Sequence, residues 1–95
     1  MSNNISSSEI ELFVKEFGQL VKELRNKAID KQESLAYSIG ISTRQLSDIE
    51  NGKATCRIDT LYKTCNALNL SLSEFFLELQ KLNKKNDALQ EIKDE

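Results

Sequence analysis

Residues 32–52 read QESLAYSIGISTRQLSDIENG, and this stretch decides the fold. In its first half apolar residues recur three and four positions apart, and Gly40 then permits the left-handed conformation that ends a helix. In the second half Ser42 and Gln45 have the spacing of a capping box, in which each side chain binds the backbone amide of the other residue. Apolar residues again follow at helical spacing. The stretch therefore predicts two short helices joined by a tight turn, which is a helix-turn-helix.

The outward face of the second helix carries only side chains that donate or accept hydrogen bonds. These are Thr43, Arg44, Gln45, Ser47 and Asp48. Such a face can contact base edges, so these five residues are candidates for reading bases. Arg44 is the strongest candidate, because a guanidinium group can donate two parallel hydrogen bonds to guanine. Gln45 can pair with adenine, but the capping box competes for its side chain.

The chain resembles the helix-turn-helix family of phage repressors, Cro proteins and their bacterial relatives, which are often called XRE-like regulators. The family pattern is an Arg late in the first helix, Gln-x-x-Leu-Ala, Gly-hydrophobic-Ser, an Ile/Glu/Gly run and an amphipathic fourth helix. The matching residues are, in order, Arg25, Gln32, Leu35-Ala36, Gly40-Ile41-Ser42, Ile49-Glu50-Asn51-Gly52 and Leu61 to Leu68. The resemblance implies an all-α, five- or six-helix repressor-like domain with a central helix-turn-helix. It also implies that the protein binds a double-stranded DNA operator as a homodimer and regulates transcription, most simply as a repressor.

The resemblance also implies where phosphates are bound. The expected phosphate contacts lie at the start of the second helix and after the recognition helix, and they are Lys31, Gln32, Asn51, Gly52, Lys53 and Arg57. In the run Asn51-Gly52-Lys53 both the backbone and the side chains are expected to take part. Helix N termini suit anions because free backbone donors and the helix dipole point at them. Arg25 and Glu50 resemble the internal ion pair of the family, so we expect them to be structural.

The entry to the second helix departs from the family pattern, which has a hydrophobic residue and Ser or Thr before the Gln. Here the residues are Asp30 and Lys31, and we predict Asp30 as the N-cap with Glu33 as its partner. In the first helix, Gly18 predicts a bend, a split into two helices or a simple loss of helix stability.

The length and composition indicate one small helical domain. The chain has 95 residues and no Pro, and apolar residues recur every three to four positions. A chain this short buries a modest core, which makes association with a second copy a plausible source of stability. There is no apolar run of about 20 residues and no basic leader before an apolar stretch. We therefore expect a cytoplasmic protein with no membrane contact.

The net charge of −2 becomes informative when it is divided along the chain. Residues 17–66 carry eight basic and six acidic side chains, a balance of +2, whereas residues 1–16 and 67–95 each contribute −2. The basic balance thus coincides with the predicted DNA-binding part, although a solvated surface of mixed charge would give a similar count.

The chain divides into three predicted segments. Residues 1–7 are expected to form a disordered leader, because they are rich in Ser and Asn and contain little to bury. Residues 8–82 are expected to form the DNA-binding domain, whose extended first helix begins with a Ser8/Glu11 capping box. Residues 83–95 are expected to form a helical continuation, a sixth short helix or a frayed tail, with a possible dimer contact.

The fifth helix carries a broad apolar stripe that predicts an interface. It begins at a Ser71/Glu74 capping box, after Asn69 ends the fourth helix in the left-handed conformation. The expected homodimer contacts on the stripe are Phe75, Phe76, Leu79 and Leu82. The alternative is a protein-interaction module of antitoxin type, whose stripe binds a partner protein.

No enzyme, metal site or cofactor is expected. The chain has no His and no phosphate-binding glycine loop, so a nucleophile and its base are not brought together. Two cysteines, Cys56 and Cys65, are too few soft ligands for structural zinc. Cys65 shares an apolar helical face, and we expect it to be a buried packing residue. For Cys56 packing is favoured over redox sensing.

Overall fold

The computed structural model describes residues 5–28 and 31–93, with side chains through residue 86. This part of the chain forms five helices and no strand: α1 (Ser7–Ala28), α2 (Gln32–Ile39), α3 (Thr43–Glu50), α4 (Ile58–Ala67) and α5 (Leu72–Lys93). The all-α class is thereby confirmed. α5 is one helix of 22 residues, so the polar run after Leu82 does not start a sixth helix.

The turn between α2 and α3 has the predicted chemistry. Gly40 has φ 75°, and the amide of Ile41 donates to the Ala36 carbonyl at 3.0 Å. The Gln45 amide donates to Ser42 Oγ at 3.0 Å, and the Ser42 amide donates to Gln45 Oε1 at 2.8 Å. Both halves of the capping box are therefore present, and the turn is fixed by local contacts.

The junction between α4 and α5 also follows the prediction. Asn69 has φ 65°, the left-handed conformation that ends a helix. The Ser71 amide donates to Glu74 Oε1 at 2.8 Å, and the Glu74 amide donates to Ser71 Oγ at 3.1 Å. This second capping box starts α5.

Two helix starts differ from the prediction. α1 begins at Ser7, and its capping pair is Ser6 with Glu9 rather than Ser8 with Glu11. The sequence contains both Ser-x-x-Glu spacings, and the earlier one extends the helix by another half turn. At the start of α2 the N-cap position is occupied by Lys31, without a side-chain hydrogen bond. Asp30, the expected N-cap, lies outside the described residues.

The core is built from one face of each helix. Its fully or nearly buried apolar side chains are Phe17, Leu20, Val21, Leu35, Ala36, Ile39, Leu46, Ile49, Leu61, Cys65, Leu68, Phe75 and Leu79. Phe17 of α1 and Phe75 of α5 meet edge to face, with ring centroids 5.5 Å apart. The α2/α3 motif packs on α1 and α4, so its outer surface is held by a rigid scaffold.

α1 remains one helix through Gly18, which is needed for close packing rather than for a bend. A Cβ at this position would collide with the Ile49 carbonyl oxygen and would lie 3.0 Å from the Glu50 carbonyl oxygen. Since both groups belong to the backbone of α3, they cannot rotate away. Gly18 therefore allows the end of α3 to lie directly against α1.

Burial changes the predicted interface on α5. Phe75 is completely buried and Leu79 is 6% exposed, so both belong to the core of a single chain. Because α1 covers most of the apolar stripe on α5, these two side chains are not accessible to a second copy of the chain. Phe76 is exposed, and Leu82 is partly buried against the core.

Beyond this core, a buried carboxylate joins α1 to the second half of α5. Glu16 is 2% exposed and accepts hydrogen bonds from Asn83 Nδ2 at 3.0 Å and Asn86 Nδ2 at 2.8 Å. Two of the polar residues that interrupt the apolar stripe therefore have a specific partner, which holds this part of α5 against α1.

Candidate nucleic-acid interface

The five candidate base-contacting residues occupy the outer side of α3. Thr43, Arg44 and Gln45 are exposed, whereas Ser47 and Asp48 are partly buried. Among the described residues, Arg44 forms no ion pair, so its guanidinium group is available to a ligand. The first turn of α3 thus presents a cation and two uncharged polar side chains to solvent.

The capping box limits what Gln45 can do. Its Oε1 accepts the Ser42 amide, which leaves the NH2 group as the donor that can reach outward. Pairing with adenine requires the amide oxygen as an acceptor as well as the NH2 group as a donor. Gln45 can therefore form the complete adenine pair only through the second lone pair of Oε1, and the bond to the Ser42 amide restricts how the side chain can be oriented.

The last turn of α3 is held by a buried ionic cluster. Arg25 Nε donates to Glu50 Oε2 at 2.6 Å, and Arg25 Nη2 donates to Glu50 Oε1 at 3.0 Å. Gln32 Nε2 donates to the same Oε1 at 2.8 Å. The Glu50 side chain is 1% exposed, which agrees with the expected structural role of the pair. The cluster joins α1, the start of α2 and the end of α3, and so fixes the orientation of α3.

Gln32 consequently has a partner inside the protein. With one amide hydrogen donated to Glu50, its side chain has less to offer a phosphate than expected from its place at the helix start. Lys31, next to it, is exposed and extended, and no hydrogen bond from its own side chain caps α2. The first turn of α2 therefore combines a cationic side chain with backbone donors that suit an anion.

The turn after α3 also differs from the expectation that its backbone binds phosphate. The amides of Asn51, Gly52 and Lys53 donate to the carbonyls of Ser47, Ile49 and Asp48, at 2.9, 3.1 and 2.8 Å. Because all three donors are occupied, a phosphate at this turn can be bound only by side chains. Lys53 is exposed and supplies a positive charge.

Arg57 lies at the N-cap position of α4 and borders a cleft beside α3. Gln45, Asp48 and Thr60 line the same cleft. Arg57 Nε is 3.4 Å from Asp59 Oδ1, and both side chains are largely exposed, so this ion pair holds Arg57 only weakly. The guanidinium group is thus placed near α3 and can exchange Asp59 for another anion.

Two residues that the sequence reasoning did not assign lie behind this surface. Gly18 contacts the end of α3, and Lys15 lies beside the Gly52 turn. Helical periodicity could have indicated them, because positions 15 and 18 fall on the same face of α1 as Arg25, which was expected to contact Glu50.

The two cysteines have the character of packing residues. Cys65 is 1% exposed and Cys56 is partly buried. Burial raises the pKa of the Cys56 thiol, and the negative charge of Asp59 raises it further. The pKa of Cys65 is also raised, mainly by burial. Both thiols therefore stay protonated near neutral pH and react slowly. The described residues contain no cluster of metal-binding side chains and no helix with the length and apolar character needed to span a membrane.

A family model for helix-turn-helix proteins matches residues 21–75, which span the last third of α1, all of α2, α3 and α4, and the first turn of α5. The chain belongs to the XRE-type helix-turn-helix family. Within this family it is similar to the control protein C.MunI of a Mycoplasma species, with 38% identity over 66 residues that cover 68% of this chain and 89% of that protein. The resemblance drawn from the sequence is thereby confirmed.

Solved helix-turn-helix structures share the fold. The clp gene regulator ClgR of Corynebacterium glutamicum has a TM-score of 0.81 at 20% identity, over 86% of this chain and 87% of ClgR. A mutant of C.Esp1396I bound to its highest affinity operator site has a TM-score of 0.68 at 26% identity, over 74% of this chain and 92% of that one. Membership of this family indicates a DNA-binding regulator of transcription rather than an enzyme.

Proposed function

We propose that the protein is a cytoplasmic repressor that binds a palindromic operator as a homodimer and inserts α3 into the major groove. The observation that carries the proposal is the combination of an exposed polar first turn and a rigidly held last turn in α3. Arg44 is free to meet a base, while Arg25 and Gln32 fix Glu50 at the other end. A recognition helix needs both properties, because base contacts are specific only if the helix is held in a defined orientation.

In this proposal, base contacts and phosphate contacts come from different elements. Arg44 pairs with guanine, Thr43 and Ser47 add hydroxyl contacts, and Asp48 accepts from a cytosine amino group. The NH2 group of Gln45 is a further donor. Phosphate is bound at the start of α2 by Lys31 with the adjoining amides, including that of Gln32, and after α3 by the side chains of Asn51, Lys53 and Arg57. Gly52 shapes the turn but offers no donor there.

An exposed apolar patch supports the homodimer. Phe13, Ile58 and Phe76 line one groove, Ile10 precedes Phe13 by three residues, and Tyr62 follows Ile58 by four. These five side chains, which we call the apolar patch, are between 42% and 70% exposed. Because about half of each side chain is exposed, the patch presents on the order of 500 Å² of accessible surface per protomer. Two copies would bury about 1,000 Å² before their polar rims are counted, close to the lower limit of about 1,200 Å² for stable interfaces.

The apolar patch is also well placed for a DNA-binding dimer. Thr55 and Cys56 line both its groove and the cleft beside α3. A second copy packed on this patch would therefore lie next to the elements proposed to contact DNA. Because a two-fold contact uses the same patch on both protomers, two recognition helices would be presented symmetrically.

Sedimentation at micromolar concentration tests the assembly. We expect a dimer for the wild type and a monomer for Ile58→Asp, since Ile58 is 70% exposed and an acid is favourable in the first turn of α4. Tyr37→Asp is the matched control, because Tyr37 is 89% exposed but lies on α2 and does not line the groove formed by Phe13, Ile58 and Phe76. A wild-type monomer, both free and on DNA, would exclude the homodimer. If such a monomer co-purified with another protein, the interaction-module alternative would be favoured.

Selection of bound sequences from random duplex DNA tests the operator. We expect an inverted repeat whose half-sites are about 34 to 36 Å apart, one turn of the DNA helix. Insertion of about five base pairs at its centre should abolish tight binding, because the second half-site would then face the opposite side of the duplex. Unchanged affinity after the insertion would show that two copies do not bind the site together.

A further inference from the structure

Lys15 lies on the face of α1 that runs along the end of α3. A Cβ added to Gly52 would be 2.7 Å from Lys15 Cγ and 3.0 Å from Lys15 Cα, so the backbone of the turn lies against the base of this side chain. Gly18 and Arg25 share this face and contact Ile49 and Glu50. Lys15 therefore continues a line of contacts that leads past the end of α3 to the turn that follows it.

This turn presents an electrostatic problem for a DNA-binding protein. It lies at the C terminus of α3, where the helix dipole is negative and repels phosphate. The amides of residues 51–53 are occupied by α3 carbonyls, so the backbone cannot compensate. Positive charge at this place must come from side chains. Lys53 supplies one such charge from the turn itself, and Lys15 is the cation of α1 placed against the same turn.

The Lys15 ammonium group is available for binding. The residue is exposed, and among the described residues it forms no ion pair. Its nearest acidic neighbour along the helix face is Glu11, one turn earlier and also exposed, and such a pair is weak in water. Glu16, the next residue, is buried and binds Asn83 and Asn86 on α5 instead. From Cγ, the ammonium group is three bonds further out and can extend past Gly52 into solvent.

We propose that Lys15 binds a DNA phosphate beside the turn after α3 and forms a two-lysine clamp with Lys53. This inference rests on the proposed DNA-binding function. It adds a contact from the first half of α1, outside residues 21–75 that match the family. The simpler structural role, in which Lys15 only stabilises the negative end of α3, predicts a loss of stability but no change in the salt dependence of binding.

The test is the affinity of Lys15→Gln for the selected operator at about 50 and 200 mM salt. Each phosphate contact contributes about 0.9 to the slope of log affinity against log salt, because bound counterions are released. The advantage of the wild type over the variant should therefore shrink about 3.5-fold per half-site between these two salt concentrations. Glutamine keeps the methylene packing on Gly52 while it removes the charge.

Lys81→Gln is the matched control. It removes the same charge from an exposed position on α5, which packs on another face of α1. An unchanged slope for Lys15→Gln, or a change equal to that of Lys81→Gln, would overturn the proposal. The proposal would also be overturned if Lys15→Gln lost affinity and stability in urea to the same extent while the slope of log affinity against log salt stayed unchanged.

Scrambled DNA separates this proposal from the proposed function. A phosphate contact does not depend on sequence, so the slope should change equally on operator and scrambled DNA. If the wild type showed no sequence preference but the Lys15 slope effect persisted, the operator proposal would fail and the clamp would stand. Absence of any DNA binding by the wild type would overturn both.

Discussion

The first and last turns of α3 differ in almost every physical respect. At the first turn Arg44 and Gln45 are exposed, and the cap is a local contact between residues three positions apart. At the last turn Glu50 is buried and bound by side chains from α1 and α2, 25 and 18 residues away. Variation at the first turn should therefore change what is bound, whereas variation at the last turn should change whether the helix is held at all.

The strongest test of this contrast is Arg25→Ala. It leaves Glu50 buried with Gln32 as its remaining partner, and an uncompensated buried charge of this kind destabilises a protein by about 3 to 5 kcal/mol. The free energy of unfolding in urea, at fixed protomer concentration, measures the loss.

Arg57→Ala is the control for Arg25→Ala. It breaks the exposed pair with Asp59 and should change the stability by less than about 1 kcal/mol. If both variants lost the same stability, the last turn of α3 would not be held by the buried cluster, and the contrast between the two turns would be lost.

At the first turn, Arg44→Ala should leave the stability within about 0.5 kcal/mol of the wild type, because the side chain is exposed. Binding to the operator should weaken by about 1 to 3 kcal/mol per half-site, with relaxed preference at one base position. Lys53→Ala should instead weaken operator and scrambled DNA alike and reduce the salt slope by about one unit.

Titrations with operator and scrambled DNA at several salt concentrations distinguish the two variants. Equal weakening of both DNAs by Arg44→Ala would make Arg44 a phosphate contact. The assignment of the first turn of α3 as the base-contacting element would then lack its main evidence.

The sequence predicted most of the helix ends and turns that depend on neighbours in the chain. Gly40, the Ser42/Gln45 box and Asn69 end or begin helices through contacts within five residues, and all three predictions are confirmed. Even here ambiguity arose where two spacings overlapped, as with Ser6/Glu9 and Ser8/Glu11. Local chemistry decides that a helix starts, but not which of two equivalent caps is used.

Contacts between distant residues could not be obtained in this way. The stripe on α5 is apolar whether α1 or another protomer covers it, so its pattern could not show that Phe75 and Leu79 are internal. Glu16 and Asn86 are 70 residues apart, and nothing in their local sequence pairs them. The sequence likewise does not show that the amides after α3 are occupied, because their acceptors depend on where the helix ends. For Arg25 and Glu50 the family resemblance supplied what periodicity could not.

Gly18→Ala sharpens the comparison, because it probes the last turn of α3 without removing a charge. Alanine favours a helix over glycine by up to about 1 kcal/mol, but the added Cβ meets the backbone of α3 and overpacking costs about 1 to 3 kcal/mol. We expect a net loss of about 1 to 2 kcal/mol in urea unfolding. Gln19→Ala, at the exposed next position of α1, should be close to neutral. A stabilised Gly18→Ala variant would mean that α1 and α3 are less tightly packed than the structure shows.

The smallest effect is expected from the two capping boxes, Ser42/Gln45 of α3 and Ser71/Glu74 of α5, which have the same geometry but differ in charge. At α5 the Ser71 backbone amide, and then its hydroxyl, hold the pKa of Glu74 below its usual range, whereas α3 uses the uncharged Gln45 in the same position. The pKa of Glu74 is lower in the folded state than in the unfolded state. The ionised carboxylate therefore stabilises the folded protein above the usual pKa of about 4.3, and this stabilisation is lost as the pH falls through the lowered value.

Exchanging the acid and the amide tests why α3 has a neutral cap. Glu74→Gln should remove this component of the acid dependence of unfolding, and Gln45→Glu should introduce one of the same sign at α3. Because the first turn of α3 is proposed to face DNA, Gln45→Glu should also weaken binding at neutral pH through repulsion of phosphate, and Glu74→Gln should not. Unfolding in urea from about pH 3 to 7, followed by operator titration at pH 7, measures both effects. If Gln45→Glu left DNA binding unchanged, the neutral cap would serve stability alone, and the first turn of α3 would lie further from DNA than proposed.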